Sequence, residues 1–189
     1  MSVTREKILE LGEELIVTKG YNGFSYQDIS TAMGIKNAAV HYYFPSKENL
    51  GTSILKTNIQ RFEEMIENMK NRDFDEHQQL ESFMKIYLKS NRDNKICLIG
   101  SLGTDINTLS DPMRNELQKM VDRIVNWLET TLESGRSKSL FSFQTTARDQ
   151  ALRILSSLVA GLQLARILNK SDFKNIHQSI WEEIIPKNS

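Results

Sequence analysis

The chain has 189 residues, enough for one substantial hydrophobic core with a small appended module. Apolar side chains make up 39% and charged ones 25%, which excludes a disordered polymer, and Lys plus Arg (24) equal Asp plus Glu (24), so no global charge selects a nucleic-acid or membrane partner. The single cysteine, Cys97, excludes an intrachain disulfide and a cysteine-cluster metal site. No metal and no cofactor is expected. The longest uncharged stretch, residues 154–165, is far shorter than the ~20 residues of a membrane span. Met1 to Lys7 lacks the apolar run of a signal peptide, so a cytoplasmic location without a membrane partner is the expectation.

Apolar residues recur at helical spacing throughout, and no stretch alternates long enough for a strand. Ile8, Leu11, Leu15 and Ile16 stripe a first helix that Gly20 ends. A short helix is predicted from Ser25 to Gly34 and another from about Lys36 to Phe44, closed by Pro45. Ser46 is placed to cap a long helix toward Asn71, with Leu50, Ile54, Ile59, Phe62, Met65, Ile66 and Met69 on its apolar face. Further helices are predicted over about 78–90 and 96–107, and from Ser110-Asp111-Pro112 through Leu132. Residues 135–144 read as a loop, and 147–168 and 173–185 as the last two helices. The expected fold class is all-α with about nine helices. A three-helix module in residues 1–50 is joined by the long helix to a C-terminal helical bundle in residues 51–189.

Residues 24–44 carry the function. Ser25 and Asp28 have the S-x-x-D spacing of a reciprocal helix cap. Ile29 and Met33 share one face, Gly34 stands where a sharp turn needs positive φ, and Ile35 plugs the corner. Val40 and Phe44 bury the next helix. That is a helix-turn-helix at the length used by DNA-binding proteins. Asn37, Ala38, Ala39, His41, Tyr42 and Tyr43 remain exposed on the second helix. Small residues admit a helix into a major groove; Asn reads an adenine edge, Ala meets a thymine methyl, and Tyr donates to phosphate. Lys36 and Lys47 flank the helix as phosphate ligands, and the amides near Ser25, Tyr26 and Gln27 offer an anion site. The opposing reading takes Tyr42 and Tyr43 as core aromatics. Residues 1–50 hold five basic and six acidic side chains, so any electrostatic attraction is local.

Thr4-Arg5-Glu6-Lys7-Ile8-Leu9, Lys19-Gly20-Tyr21, the helix-turn-helix and Tyr42-Tyr43-Phe44-Pro45-Ser46-Lys47-Glu48-Asn49-Leu50 together resemble the TetR family of transcriptional regulators. The resemblance implies an all-α homodimer, with an N-terminal module that binds double-stranded operator DNA and a C-terminal bundle that binds a small-molecule inducer and the partner subunit. It places Tyr26, Gln27, Lys36, Asn37, Ala38, Ala39, His41, Tyr42, Tyr43 and Lys47 at DNA-facing positions. Gln27 stands where the family often has Arg, and Asn37-Ala38-Ala39 replaces the commoner Lys-Gly-Ser/Thr.

The family's last two helices pair with their twins. Here Leu152, Leu155, Leu158, Val159 and Leu162, with Phe173, Ile176, Ile180 and Ile184, are the candidate dimer face; the alternative assigns them to the chain's own core. Residues 96–106, Asp111-Pro112-Met113-Arg114 and Trp127-Leu128 resemble a TetR subgroup in which some members sense electrophiles through a cysteine. Cys97 is therefore either a reactive thiol or a small packing residue. Met65, Phe83, Tyr87, Leu102, Met120, Ile124 and Trp127 are candidates to line an inducer pocket, or plain core. His41, His77 and His177 are isolated, with no HExxH, GxSxG or phosphate loop, so an enzyme is not expected. A helix-turn-helix protein that has lost DNA binding is disfavoured by the polar face from Asn37 to Tyr43.

Overall fold

A computed structural model describes residues 3–186. Met1, Ser2 and residues 187–189, which the two expected domains include, lie outside the described residues. Every regular element among the described residues is helical: α1 Val3–Lys19, α2 Tyr26–Met33, α3 Asn37–Tyr43, α4 Lys47–Asn71, α5 Glu76–Arg92, α6 Leu98–Thr104, α7 Asp111–Ser137, α8 Ala147–Ile167 and α9 Lys170–Ile184, with single 3₁₀ turns at Tyr21–Gly23 and Ile106–Thr108.

The chain forms two compact units. Among the described residues, the first holds 3–61 and 98–120, the second 62–97 and 121–186. The unit that contains the three N-terminal helices thus also takes in α6 and the start of α7. Its core gathers Ile8, Ile16, Ile29, Val40, Phe44, Leu50, Ile54 and Leu55 with Leu98, Leu102, Leu109, Met113 and Leu117. Each fully buried Leu or Ile contributes about 1.5–3 kcal/mol, and the three N-terminal helices alone, two of them short, supply few of them.

The caps follow the residue chemistry. Ser46 and Asn49 bond reciprocally at the start of α4, as expected of Ser46. Asp75 and Gln78 do the same for α5, which therefore begins at Glu76, two residues before the predicted start and four before the first apolar residue of its stripe, Leu80. The predicted 96–107 helix is shorter: α6 stops at Thr104, where the Asp105 carbonyl instead closes a 3₁₀ turn by accepting from Thr108.

In the second unit α5, α8 and α9 pack together. Gly161 allows this closeness, because a Cβ there would lie 3.1 Å from Ile176 Cδ1 and 3.2 Å from the Phe173 ring. Asn91 donates from Nδ2 to the Lys170 carbonyl at 3.0 Å, tying α5 to the start of α9. Glu76, 6% exposed, accepts from Ser134 Oγ and Lys138 Nζ, both at 2.6 Å, tying α5 to the end of α7.

Candidate DNA-recognition surface

The site is built from α2, the turn after it, and α3. Asp28 Oδ2 accepts from the Ser25 N–H at 2.8 Å and the Ser25 hydroxyl at 2.9 Å, and Lys19 Nζ lies 3.1 Å from Oδ1. The Ser25 amide and Lys19 hold this carboxyl ionised, down to about 2. Gly34 then adopts φ 65°, ψ 31°, and the Ile35 N–H reaches back to the Ser30 carbonyl at 3.0 Å. The left-handed residue closes α2 and turns the chain within three residues into α3, as its place in the sequence predicts.

Ile29, Val40 and Phe44 are 0%, 0% and 2% exposed, so α2 and α3 turn one flank inward. The other flank of α3 is open: Asn37, Ala38, His41 and Tyr42 are exposed, Tyr42 at 81%, and Lys36 precedes them, also exposed. Ala39 is half-buried. Tyr43 is half-buried against the core, its ring edge-on to Tyr42 at 5.1 Å. His41 Nδ1 lies 3.3 Å from the Pro45 carbonyl and its ring 4.7 Å from that of Tyr26. Gln27 is exposed and donates to Thr31 Oγ1 at 3.1 Å. No acidic residue occurs between Ile29 and Lys47.

Three expectations need correction. Tyr26 is not on the open flank: it is 7% exposed, and its hydroxyl donates to the carbonyls of Phe44 at 2.9 Å and Ser46. Burial pushes this phenol up, so it remains a donor at any working pH. Lys47 is not an outstretched phosphate ligand. Its ammonium donates to the Phe24 carbonyl and sits 4.1 Å over the Phe24 ring and 4.8 Å over that of Tyr21. Nor is the Ser25 amide open to an anion, because it already donates to Asp28. One residue near α3 was overlooked as a site candidate: Arg5 of α1 lies over the Phe44 ring, 4.9 Å from its centroid.

The candidate dimer face also divides. Leu155, Leu158 and Leu162 of α8 and Phe173, Ile180 and Ile184 of α9 are buried within the second unit. They hold α8 to its own neighbours and have no surface to offer a second chain. Val159 and Ile176 are half-buried, and Leu152 alone of the nine is exposed, at 45%. Leu152 opens a row at i+4 spacing through Ser156, Ala160, Leu164 and Leu168, flanked by Ile167 at 78%; all are exposed.

The inducer candidates fall into both units. Leu102 and Met120 pack in the first core. Met65, Phe83, Tyr87, Cys97, Ile124 and Trp127 belong to the second. There Phe83, Trp127 and Phe62 form a three-ring cluster, centroids 5.4–6.3 Å apart, and Tyr87 meets Phe83 at 5.4 Å. Burial, and then Cys97, push the Tyr87 hydroxyl well above its usual value. Cys97 is half-buried immediately before α6. Two grooves in the second unit, of about 860 and 510 Å³, are lined by residues of α7, α8, α9 and the 138–146 loop, and none of the eight candidates lines either.

Among the described residues no group of three or more His, Cys, Asp or Glu is placed to hold a metal, and no helix is long and apolar enough to cross a membrane.

Comparison with known proteins agrees with this architecture. The family model described as "Bacterial regulatory proteins, tetR family" matches residues 8–52. The HTH-type transcriptional repressor NemR of Escherichia coli K12 is 27% identical over 177 residues, covering 89% of this chain and 86% of NemR. A crystal structure of the reduced form of E. coli NemR superposes over 100% of both chains with a TM-score of 0.81, at 19% identity in that alignment, which speaks for the fold. The crystal structure of a TetR transcriptional regulator from Legionella pneumophila is 30% identical, covers 97% of this chain and 98% of its own, and gives a TM-score of 0.86. With its helix-turn-helix, its all-helical fold and this full-length similarity, the chain belongs to the TetR family of DNA-binding transcriptional regulators and is not an enzyme.

Proposed function

We propose that the protein is a homodimeric repressor that reads a two-fold operator through α3 and leaves it when a small molecule binds the C-terminal helices. The observation that carries this reading is the division of α3: Val40 and Phe44 are sealed inside while Asn37, Ala38, His41 and Tyr42 face outward with Lys36 beside them. Asn37 and Ala38 lie at the leading end of the helix, where bases are reached, and Tyr42 and Lys36 are placed for backbone phosphates. Gln27, Ala39 and Tyr43 serve at the edges of this face. Repression is inferred from relatives such as NemR, whose name describes a transcriptional repressor.

The partner subunit is assigned to the outer row of α8, namely Leu152, Ser156, Ala160, Leu164 and Ile167, with Leu168 just after the helix. A monomer gains nothing by exposing three large aliphatic side chains on one helix and a fourth just past its end, and a two-fold pairing would bury them and set two α3 helices about 34 Å apart. The inducer is assigned to the neighbourhood of Phe83, Tyr87 and Trp127, the aromatic candidates that gather in one cluster.

The test is to select bound sequences from a random duplex pool and measure the recovered duplex by fluorescence anisotropy. The protein is expected to recover a palindrome and bind it with a steep negative salt dependence. Tyr42→Ala should bind at least about tenfold more weakly with unchanged helicity. Recovery of no common sequence, or full affinity in the variant, contradicts the reading.

A second reading makes Cys97 the sensor. The resemblance of residues 96–106 to a TetR subgroup with cysteine sensors and a half-buried, partly accessible thiol support it. Treatment with N-ethylmaleimide should then release the duplex from the unaltered protein and not from Cys97→Ser; equal release from both returns Cys97 to a packing role.

A further inference from the structure

The DNA-binding helices are held partly by a residue far outside them. α6 ends at Thr104, and Asp105 follows as the residue before the 3₁₀ turn Ile106–Thr108. The Asp105 carboxylate reaches the link between α1 and α2. Oδ2 accepts from the Tyr21 N–H at 3.0 Å and Oδ1 from Asn22 Nδ2 at 3.1 Å. Asn22 Nδ2 also donates to Thr108 Oγ1 at 2.8 Å, while the Thr108 amide and hydroxyl both donate to the Asp105 carbonyl at 2.8 Å. The result is a closed ring of Asp105, Asn22 and Thr108. One helical turn earlier Ser101, 1% exposed, donates to the Ile16 carbonyl in the last turns of α1 at 2.6 Å. Ser101 of α6 and Asp105 just after it, spaced i, i+4, therefore grip the end of α1 and the turn that leads to α2.

The same turn is held from its other side. Tyr21 and Phe24 meet edge-on at 6.5 Å, and the Lys47 ammonium lies over both rings and bonds the Phe24 carbonyl. Burial lowers the Lys47 ammonium, and the charges of Asp105 and Asp28 act against that. Phe24 directly precedes the Ser25 cap of α2. A carboxylate suits the place: its two oxygens accept from a backbone N–H and a carboxamide at once, and its charge favours the nearby ammonium.

We infer that Asp105 is a positioning residue for DNA binding: by fixing the 20–24 turn it sets where α2 begins, and hence the attitude at which α3 meets a groove. The inference rests on DNA binding by the exposed α3 flank and extends it, since Asp105 lies outside the 8–52 segment that the family model matches.

The test uses the full chain and the duplex that the unaltered protein recovers from a random pool. Asp105→Asn keeps the size but loses the charge and one acceptor; Asn22→Ala opens the ring from the exposed side. Asp105→Asn should weaken the duplex complex about tenfold. Asn22→Ala should weaken it less, and the double variant should be no weaker than Asp105→Asn alone, because both act through one turn. Amide exchange should quicken at Tyr21 to Phe24, with the thermal midpoint and the exchange of α5, α8 and α9 unchanged. Should Asp105→Asn lower the midpoint, exposed Asn22→Ala decides alone by local exchange against affinity. Unchanged affinity with faster Tyr21 exchange overturns the inference, as does an additive double variant or an affinity loss that merely tracks global stability. If the unaltered protein recovers no duplex, the α3 reading itself fails and the inference falls with it.

Discussion

At the residue scale, neighbouring aromatic side chains around α3 have opposite fates. Tyr42 stands 81% exposed on the open flank, while Tyr26 is buried and spends its hydroxyl on two backbone carbonyls at the junction of α3 and α4. Composition and spacing do not separate these cases, because a tyrosine carries both an apolar ring and a polar tip. Tyr26→Phe is a direct check. It removes the one hydroxyl proton these carbonyls share, the Ser46 carbonyl keeping the Leu50 N–H, and should lower stability by about 0.5–1.5 kcal/mol in urea denaturation. DNA affinity measured well below the midpoint should hold. A variant of native stability that has lost affinity would return Tyr26 to the contact surface. Lys47 makes the same point for charge: its position beside α3 suggested a phosphate ligand, but a burying aromatic pair and a carbonyl claim its ammonium first.

At the element scale, most of the fold was legible in the sequence, because helix signals are local. Gly20, Gly34 and Pro45 mark the stops, and Ser25 with Asp28 and Ser46 with Asn49 mark the starts where the structure has them. The start of α5 was misplaced by two residues, since Asp75 caps it before any apolar stripe begins. What a helix faces was less legible. In α8, apolar residues surround most of the axis, so periodicity could not say which stripe meets the chain's own core. Burial divides them: Leu155, Leu158 and Leu162 lie inward, and Leu152, Leu164 and Ile167 lie outward, as does Leu168 just past the helix. The two stripes predict different phenotypes. Leu158→Ala should cost about 2–5 kcal/mol of stability without changing the mass of the assembly. Leu164→Glu with Ile167→Glu should give folded monomers by sedimentation that bind a palindromic duplex poorly. A dimer that survives both charges would move the interface elsewhere.

At the scale of the whole molecule, long-range placement is what the sequence hid. The first unit draws residues 98–120 to the N-terminal helices, and Asp105 bonds Tyr21 across 84 positions of chain. No motif or helical period relates such partners, and only the folded chain brings them together. The candidate reading surface, by contrast, was readable almost entirely from residues 24–44, because a short helix with two buried anchors leaves few ways to turn its other flank. The central claim is that this flank reads bases. It is tested most directly by repeating the duplex selection with Asn37→Ala beside the unaltered protein. The account predicts the same half-site spacing with preference relaxed at one symmetry-related base pair, and a loss of about 1–3 kcal/mol on the original duplex. An identical recovered sequence bound with identical affinity would contradict it.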